Sequence, residues 1–260
     1  MSSTRRYDDA GLVLHVDGPT ATVTLDRPDR LNAQTPHTWA ALREIGAELA
    51  DDVRVVVVRG AGRAFSAGLD RAMFTATGLP GQPGIGALAN AALAEADAVI
   101  ASYQAGFTWL RSPRIVSIAA VQGHAIGAGF QLALSCDLRV LADDAQFCMA
   151  ETALGIVPDL TGSKPLVDAV GYSRALEICV TGRRVFADEA YRLGLATIAV
   201  PPGELVTATA DLVSAVLAAP AGAVRETKAL LLGAGERDAA EQEARERNAQ
   251  IRRLRELYGS

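Results

Sequence analysis

Apolar residues recur along this chain with two periods, and the change from one to the other marks out its elements. Leu12 to Val16 and Ala21 to Leu25 flank Asp17-Gly18-Pro19 and read as a β-hairpin. The period then lengthens: Trp39, Leu42, Ile45 and Leu49 fall on one helical face, with Thr35 as N-cap and Pro36 at the first helical position. Val53 to Val58 and Ile115 to Val121 are β-branched runs that predict buried strands. Between them, Thr75 to Gly86 is rich in Gly and Pro and reads as a mobile loop, followed by a helix over Ala87 to Leu110. A further helix starts near Gly127. Asp137 to Leu141 and Gln146 to Met149 read as short strands, with helices around Leu166 and Ala175 and a last strand over Ala196 to Val200.

Pro201-Pro202 ends this alternation. Beyond it the pattern is helical from Glu204 to Leu257, with breaks at Pro220 and Gly233. The expected organisation is therefore an α/β core over residues 1–200 and a helical region over 201–260. In the final helix acidic residues come early (Glu236, Glu241, Glu243) and Arg252, Arg253 and Arg255 late, the order that complements the helix dipole and reads as a solvated face.

Composition narrows the possibilities. The chain has 260 residues, 50% hydrophobic and 21% charged, with a net charge of −5, and carries no basic stripe to suit a nucleic acid. The longest apolar stretch, Leu205 to Ala219, is divided by Asp211, and no apolar leader opens the sequence, so a cytosolic protein without a membrane segment is expected. Cys136, Cys148 and Cys179 form no C-x-x-C pair, and His15, His37 and His124 are scattered, so neither a disulfide framework nor a metal site is expected. Gly60-Ala61-Gly62 fails as a dinucleotide fingerprint because Phe65 stands where the third glycine belongs, and Gly162-Ser163-Lys164 is only half of a phosphate loop.

The chemistry points to two small-residue turns, each following a buried run. Ala64-Phe65-Ser66-Ala67-Gly68-Leu69-Asp70 follows the first, and Gly123-His124-Ala125-Ile126-Gly127-Ala128-Gly129 the second. Two such turns at neighbouring strand ends can aim two backbone N–H groups at one oxygen, an oxyanion hole.

With Leu25-Asp26-Arg27-Pro28-Asp29-Arg30-Leu31-Asn32-Ala33, Leu132-Ala133-Leu134-Ser135-Cys136-Asp137 and Ala190-Tyr191-Arg192-Leu193-Gly194-Leu195, these segments resemble the crotonase superfamily, the enoyl-CoA hydratases and isomerases. The resemblance spans about Leu12 to Leu232. It implies an α/β spiral of repeated ββα units and C-terminal helices that assemble a homotrimer or a dimer of trimers. It also implies an acyl-CoA thioester substrate whose oxygen lies between the Leu69 and Ala128 amides. Coenzyme A enters as part of the substrate, with no separate cofactor. Arg30, Ala67, Asp70 and Gly127 fall at substrate-binding positions, and Lys228 and the late arginines are candidates to reach the nucleotide.

Two glutamates hold the added water in the family's hydratases, and here those positions carry Gln131 and Glu151. An amide hydrogen-bonds a water but does not exchange its proton, so the pair is incomplete for hydration. A lone Glu151 suits the transfer of a proton from C2 to C4 performed by the family's enoyl-CoA isomerases; the alternatives are a hydratase with a substituted first glutamate and an acyl-CoA-binding protein without catalysis. Asp159 falls where dienoyl-CoA isomerases carry an aspartate, or else caps the helix near Gly162. His124 reads as a packing residue. Phe74, Ile85, Phe107 and Trp109 are candidates to line the acyl pocket.

Overall fold

The computed structural model describes residues 2–75, 77–82 and 84–259; Ala76 and Pro83, within the expected loop, lie outside the described residues. In chain order the strands are β1 (Ser2–Tyr7), β2 (Leu12–Asp17), β3 (Thr20–Leu25), β4 (Val55–Gly60), β5 (Val116–Val121), β6 (His124–Ile126), β7 (Leu138–Ala142), β8 (Gln146–Cys148), β9 (Val185–Phe186) and β10 (Ile198–Val200). The helices are α1 (Pro36–Glu48), α2 (Leu93–Thr108), α3 (Ala128–Ser135), α4 (Ser163–Val170), α5 (Tyr172–Thr181), α6 (Ala187–Arg192), α7 (Leu205–Ala218), α8 (Ala221–Leu231) and α9 (Ala239–Tyr258).

Seven strands form one sheet in the order β1-β2-β3-β4-β5-β7-β10; β1 to β3 run antiparallel, and β3 onward pair in parallel. A second, smaller sheet joins β6, β8 and β9. The unbroken apolar run of β4 has a direct cause. Val56 and Val58 face one core with Trp39, Leu42, Ile45 and Phe107, while Val55 and Val57 face another built on α7 through Leu205, Leu212, Val213 and Val216. Strands covered on both faces need no polar alternation. The first long helix after Pro201-Pro202 thus covers the sheet's second face, and Arg54 donates to Leu217 O at 3.1 Å at its C-terminal end.

At the start of α1, Thr38 N–H donates to Thr35 Oγ1 (3.4 Å) and Thr35 N–H to Thr38 Oγ1 (3.1 Å), a reciprocal cap behind Pro36. The expected helix over Ala87 to Leu110 is shorter. Ile85–Asn90 and Trp109–Arg111 are 3-10 turns, and only Leu93–Thr108 is α-helical. Gly86 and Asn90 weaken the first part as helix. Strand β1, mostly polar, has no counterpart among the expected elements. Among the described residues no single helix is long and apolar enough to cross a membrane.

Lys228 turns inward rather than toward any nucleotide. Its Nζ donates to Ile115 O and pairs with Asp137 Oδ2, each at 2.6 Å, which ties α8 to the end of β5. Burial pushes the ammonium below its ordinary pKa, and the Asp137 charge opposes that shift. Removing one partner of such a pair strands the other charge, so Lys228→Met is expected to lower unfolding stability by about 3 kcal/mol. Urea titration checks this; an unchanged midpoint would contradict the anchoring role. Of the late arginines, Arg252 pairs with Glu226 at 2.8 Å and Arg253 with Glu256.

Candidate active site

The first glycine turn is held against β6, which lies within the second. Ser66 N–H donates to His124 O (2.8 Å) and Ile126 N–H to Ser66 O (3.0 Å), so Ser66 forms a parallel bridge to β6 at Ala125. On the opposite side Gln34 N–H donates to Gly68 O (2.7 Å) and Asp70 N–H to Gln34 O (2.8 Å). In a trans peptide the N–H points opposite to the C=O of the same unit. Gly68 O faces Gln34, so the Leu69 N–H faces away from Gln34.

The second donor has the same logic. Gly127 O accepts from Gln131 N–H inside the turn that opens α3, so the Ala128 N–H points out of the helix's N-terminal end, where no intrahelical acceptor exists. Ala128 fits because it occupies the first helical residue, and the unusual backbone (φ 50°, ψ −118°) falls on Gly127 instead. Gly68, at φ 86°, lets the two turns touch: a Cβ there would lie 2.4 Å from Ile126 O and 3.5 Å from Ala128 N. Gly68 thus brings the Leu69 peptide next to Ala128 N at the N-terminal end of α3.

Glu151 opens a 3-10 turn (Glu151–Leu154) just after β8. Its carboxylate abuts Gly127, where an added Cβ would meet Oε1 at 3.2 Å. The residue is 6% exposed; Oε1 accepts from Gln131 Nε2 at 2.7 Å, and Oε2 is buried without a partner. Gln131 is held by a second pair of contacts: its Oε1 accepts from Leu160 N–H (2.8 Å) and Gly162 N–H (3.2 Å). Two backbone donors on that oxygen leave the amide only one orientation, NH₂ toward Glu151. Burial raises the Glu151 pKa above the ordinary carboxylate range, assisted by the Asp159 charge and opposed by hydrogen bonds that include the one from Gln131.

Asp159 is half-buried, and burial raises its pKa too. Its backbone oxygen accepts from Gln104 Nε2 of α2 at 2.8 Å. The capping alternative is not what the structure has: Gly162 is the N-cap of α4, with no side-chain cap bond. The Asp159 charge instead acts on Glu151 and on the phenol of Tyr103, whose pKa burial and that charge raise together.

Asp70 is tied down by Arg27 (Nη2 to Oδ2, 2.9 Å) and accepts from Ala72 N–H (3.2 Å), capping a 3-10 turn. Ala67 is half-buried and gives its N–H to Leu31 O (2.8 Å). Arg30 lies exposed at the end of another 3-10 turn, Pro28–Arg30. Of the acyl-pocket candidates, Phe107 belongs to the core and Trp109 is half-buried against it. Phe107 is fully buried with its ring centroid 6.3 Å from that of Trp39, and Trp109 packs over Gly46 of α1. Ile85 is half-buried and Phe74 exposed. His124 is half-buried with Nδ1 unpartnered. Among the described residues no group of three or more His, Cys, Asp or Glu side chains could hold a metal ion.

Sequence reasoning missed Gln34 and Arg27. Arg27 stands in the same motif as Arg30, directly before Pro28; its guanidinium donates to Ala33 O and pairs with Asp70, while Arg30 is exposed.

The family profile described as enoyl-CoA hydratase/isomerase matches residues 17–256. A Mycobacterium tuberculosis protein named as an enoyl-CoA hydratase is 35% identical over 209 residues, covering 78% of this chain and 75% of the relative. The carnitinyl-CoA dehydratase of Salmonella arizonae is 36% identical over 199 residues, covering 75% of this chain and 70% of the relative. Among solved structures, a Thermobifida fusca protein named as an enoyl-CoA hydratase, in complex with acetoacetyl-CoA, superposes with a TM-score of 0.93 at 54% identity over 96% of each chain.

Proposed function

The chain belongs to the enoyl-CoA hydratase/isomerase family, enzymes that act on coenzyme A thioesters, and within it we propose that this protein shifts a double bond in an enoyl-CoA. One observation carries the reading: Glu151 is the site's only carboxylate at the two positions where hydratases hold water, and Gln131 is locked as a donor to it. The thioester oxygen is placed at the Leu69 and Ala128 amides. Glu151 Oε2 removes a proton from C2 of a 3-enoyl-CoA, and the C–H electron pair moves into the C1–C2 bond while the carbonyl oxygen becomes the oxyanion of a dienolate. The same carboxyl then returns the proton to C4: the C3–C4 π electrons form the new C–H bond, the C1–C2 π electrons move to C2–C3, and the oxyanion reforms the carbonyl. Donors placed where charge develops contribute about 2.7–4 kcal/mol each. Because Gln131 occupies Oε1, the mobile proton resides on Oε2.

The second reading is hydration. It draws on the names of the relatives, with a water held by Glu151 alone. Gln131→Glu separates the two. Its new carboxylate faces Glu151 where an amide stood 2.7 Å away, restoring an acid–base pair. Crotonyl-CoA hydration, followed by loss of enoyl absorbance, is expected to rise well above wild type. Rapid hydration by wild type and no gain in Gln131→Glu would overturn the isomerase reading.

Family likeness also points to a homotrimer or a dimer of trimers. Leu154, Val157, Leu176 and Val180 are apolar and 45–68% exposed on the single chain, a surface that suits coverage by another copy. Light scattering is expected to return three or six chains; a monodisperse monomer would contradict it.

A further inference from the structure

We infer that the side chain of Gln34 is a positioning group that, through Ser66 Oγ and Gly68 N–H, steadies the turn whose Gly68–Leu69 peptide the Gln34 backbone N–H holds, and so the direction of the Leu69 N–H. This rests on the reading that a thioester oxygen binds at that amide. The Gly68–Leu69 peptide is gripped by its carbonyl, which accepts from Gln34 N–H at 2.7 Å, and Gly68 N–H is in turn held by Ser66 Oγ at 3.2 Å. Ser66 spends its own proton on Asn32 O (2.8 Å), so it accepts a donor from elsewhere, and Gln34 Nε2 supplies it at 3.0 Å. Gln34 Oε1 meanwhile accepts from Trp39 Nε1 at 2.8 Å. Gln34, Ser66 and Trp39 are all buried, so water replaces none of these contacts.

The residue type follows from the bookkeeping of donors. Position 34 needs one acceptor toward Trp39 and one donor toward Ser66 at the reach of a glutamine. Glutamate has no donor to offer, and would draw the Ser66 proton away from Asn32 O. Methionine keeps the length and supplies neither. Trp39 in turn packs on α2, its ring centroid 4.8 Å from Tyr103 and 6.3 Å from Phe107. Gln34 thus links the α1–α2 packing to the peptide that aims at the substrate oxygen. Gln34→Met keeps these backbone contacts, so it tests only the side-chain network.

The test compares wild type with Gln34→Met and Ser66→Ala, each checked for folding by circular dichroism. Turnover is measured on 3-enoyl-CoA, and the carbonyl stretch of a bound, ¹³C-labelled saturated acyl-CoA is read by isotope-edited infrared spectroscopy. In Gln34→Met the expected loss in kcat is about 10- to 100-fold, with KM kept within about threefold, because misorientation costs transition-state stabilisation more than binding. The carbonyl stretch is expected to move back toward its value in free solution. A folded Gln34→Met with wild-type kcat and carbonyl stretch overturns the inference, as does a loss of kcat with the stretch unmoved. Should Gln34→Met fail to fold, Ser66→Ala carries the same readings. The spectrum does not depend on any double-bond shift. If wild type binds acyl-CoA without moving the stretch at all, the oxyanion reading itself falls.

Discussion

Glu151→Gln is expected to lower double-bond isomerisation by about 10²–10⁴-fold while leaving acyl-CoA affinity nearly intact, because the amide keeps the shape and removes the proton carrier. The wild-type pH profile should rise through an inflection above the ordinary carboxylate range, since burial holds Glu151 protonated longer. The same shift makes a stability prediction of definite sign. A carboxyl whose folded pKa lies above its unfolded pKa binds its proton more tightly when folded, so its contribution is intact in acid and is lost as pH rises through that window. Glu151→Gln should therefore unfold at higher urea than wild type at neutral pH, and the advantage should vanish below the unfolded carboxylate pKa. Asp159→Asn is the companion measurement. A comparable fall in rate would make the two carboxyls partners in proton transfer. Full turnover in Glu151→Gln with loss in Asp159→Asn would move the base to Asp159.

Ala128→Pro is expected to cost about 10²–10³-fold in turnover, the effect of deleting one oxyanion donor. Proline is tolerated at the first helical position, where the N–H has no intrahelical partner, so α3 should survive. Circular dichroism should remain that of wild type while single-turnover rates fall. Ala128→Ser, which keeps the amide, is expected to stay within about tenfold of wild type on the same grounds. Equal losses in both variants would mean that the side chain, and not the N–H, matters at this position.

Much of this was legible in the sequence because it is local. Thr35-Pro36 announces its own cap, and β4 announces its double-sided burial through four consecutive valines. The two turns announce themselves through Gly68 and Gly127, at positive φ where other residues are strained. The motifs also placed Gln131 and Glu151, though not their relation. That depends on Leu160 and Gly162 reaching back to Gln131 Oε1, contacts spanning 29 and 31 residues. Nothing local to Gln34 reveals that its side chain joins Trp39 to Ser66, and nothing in the helical pattern reveals that Lys228 points inward to Asp137. Strand β1 escaped because all but the last of its residues are exposed and polar, leaving no alternation to read.

The most direct test of the single-carboxylate shuttle is to incubate the protein separately with a 3-enoyl-CoA and a 2-enoyl-CoA and identify products by mass spectrometry and ultraviolet absorbance. The 3-enoyl-CoA is expected to gain the absorbance of a conjugated thioester with no change in mass, faster than the 2-enoyl-CoA gains the mass of one water. Rapid hydration of the 2-enoyl-CoA with no shift of the 3-enoyl double bond would contradict it.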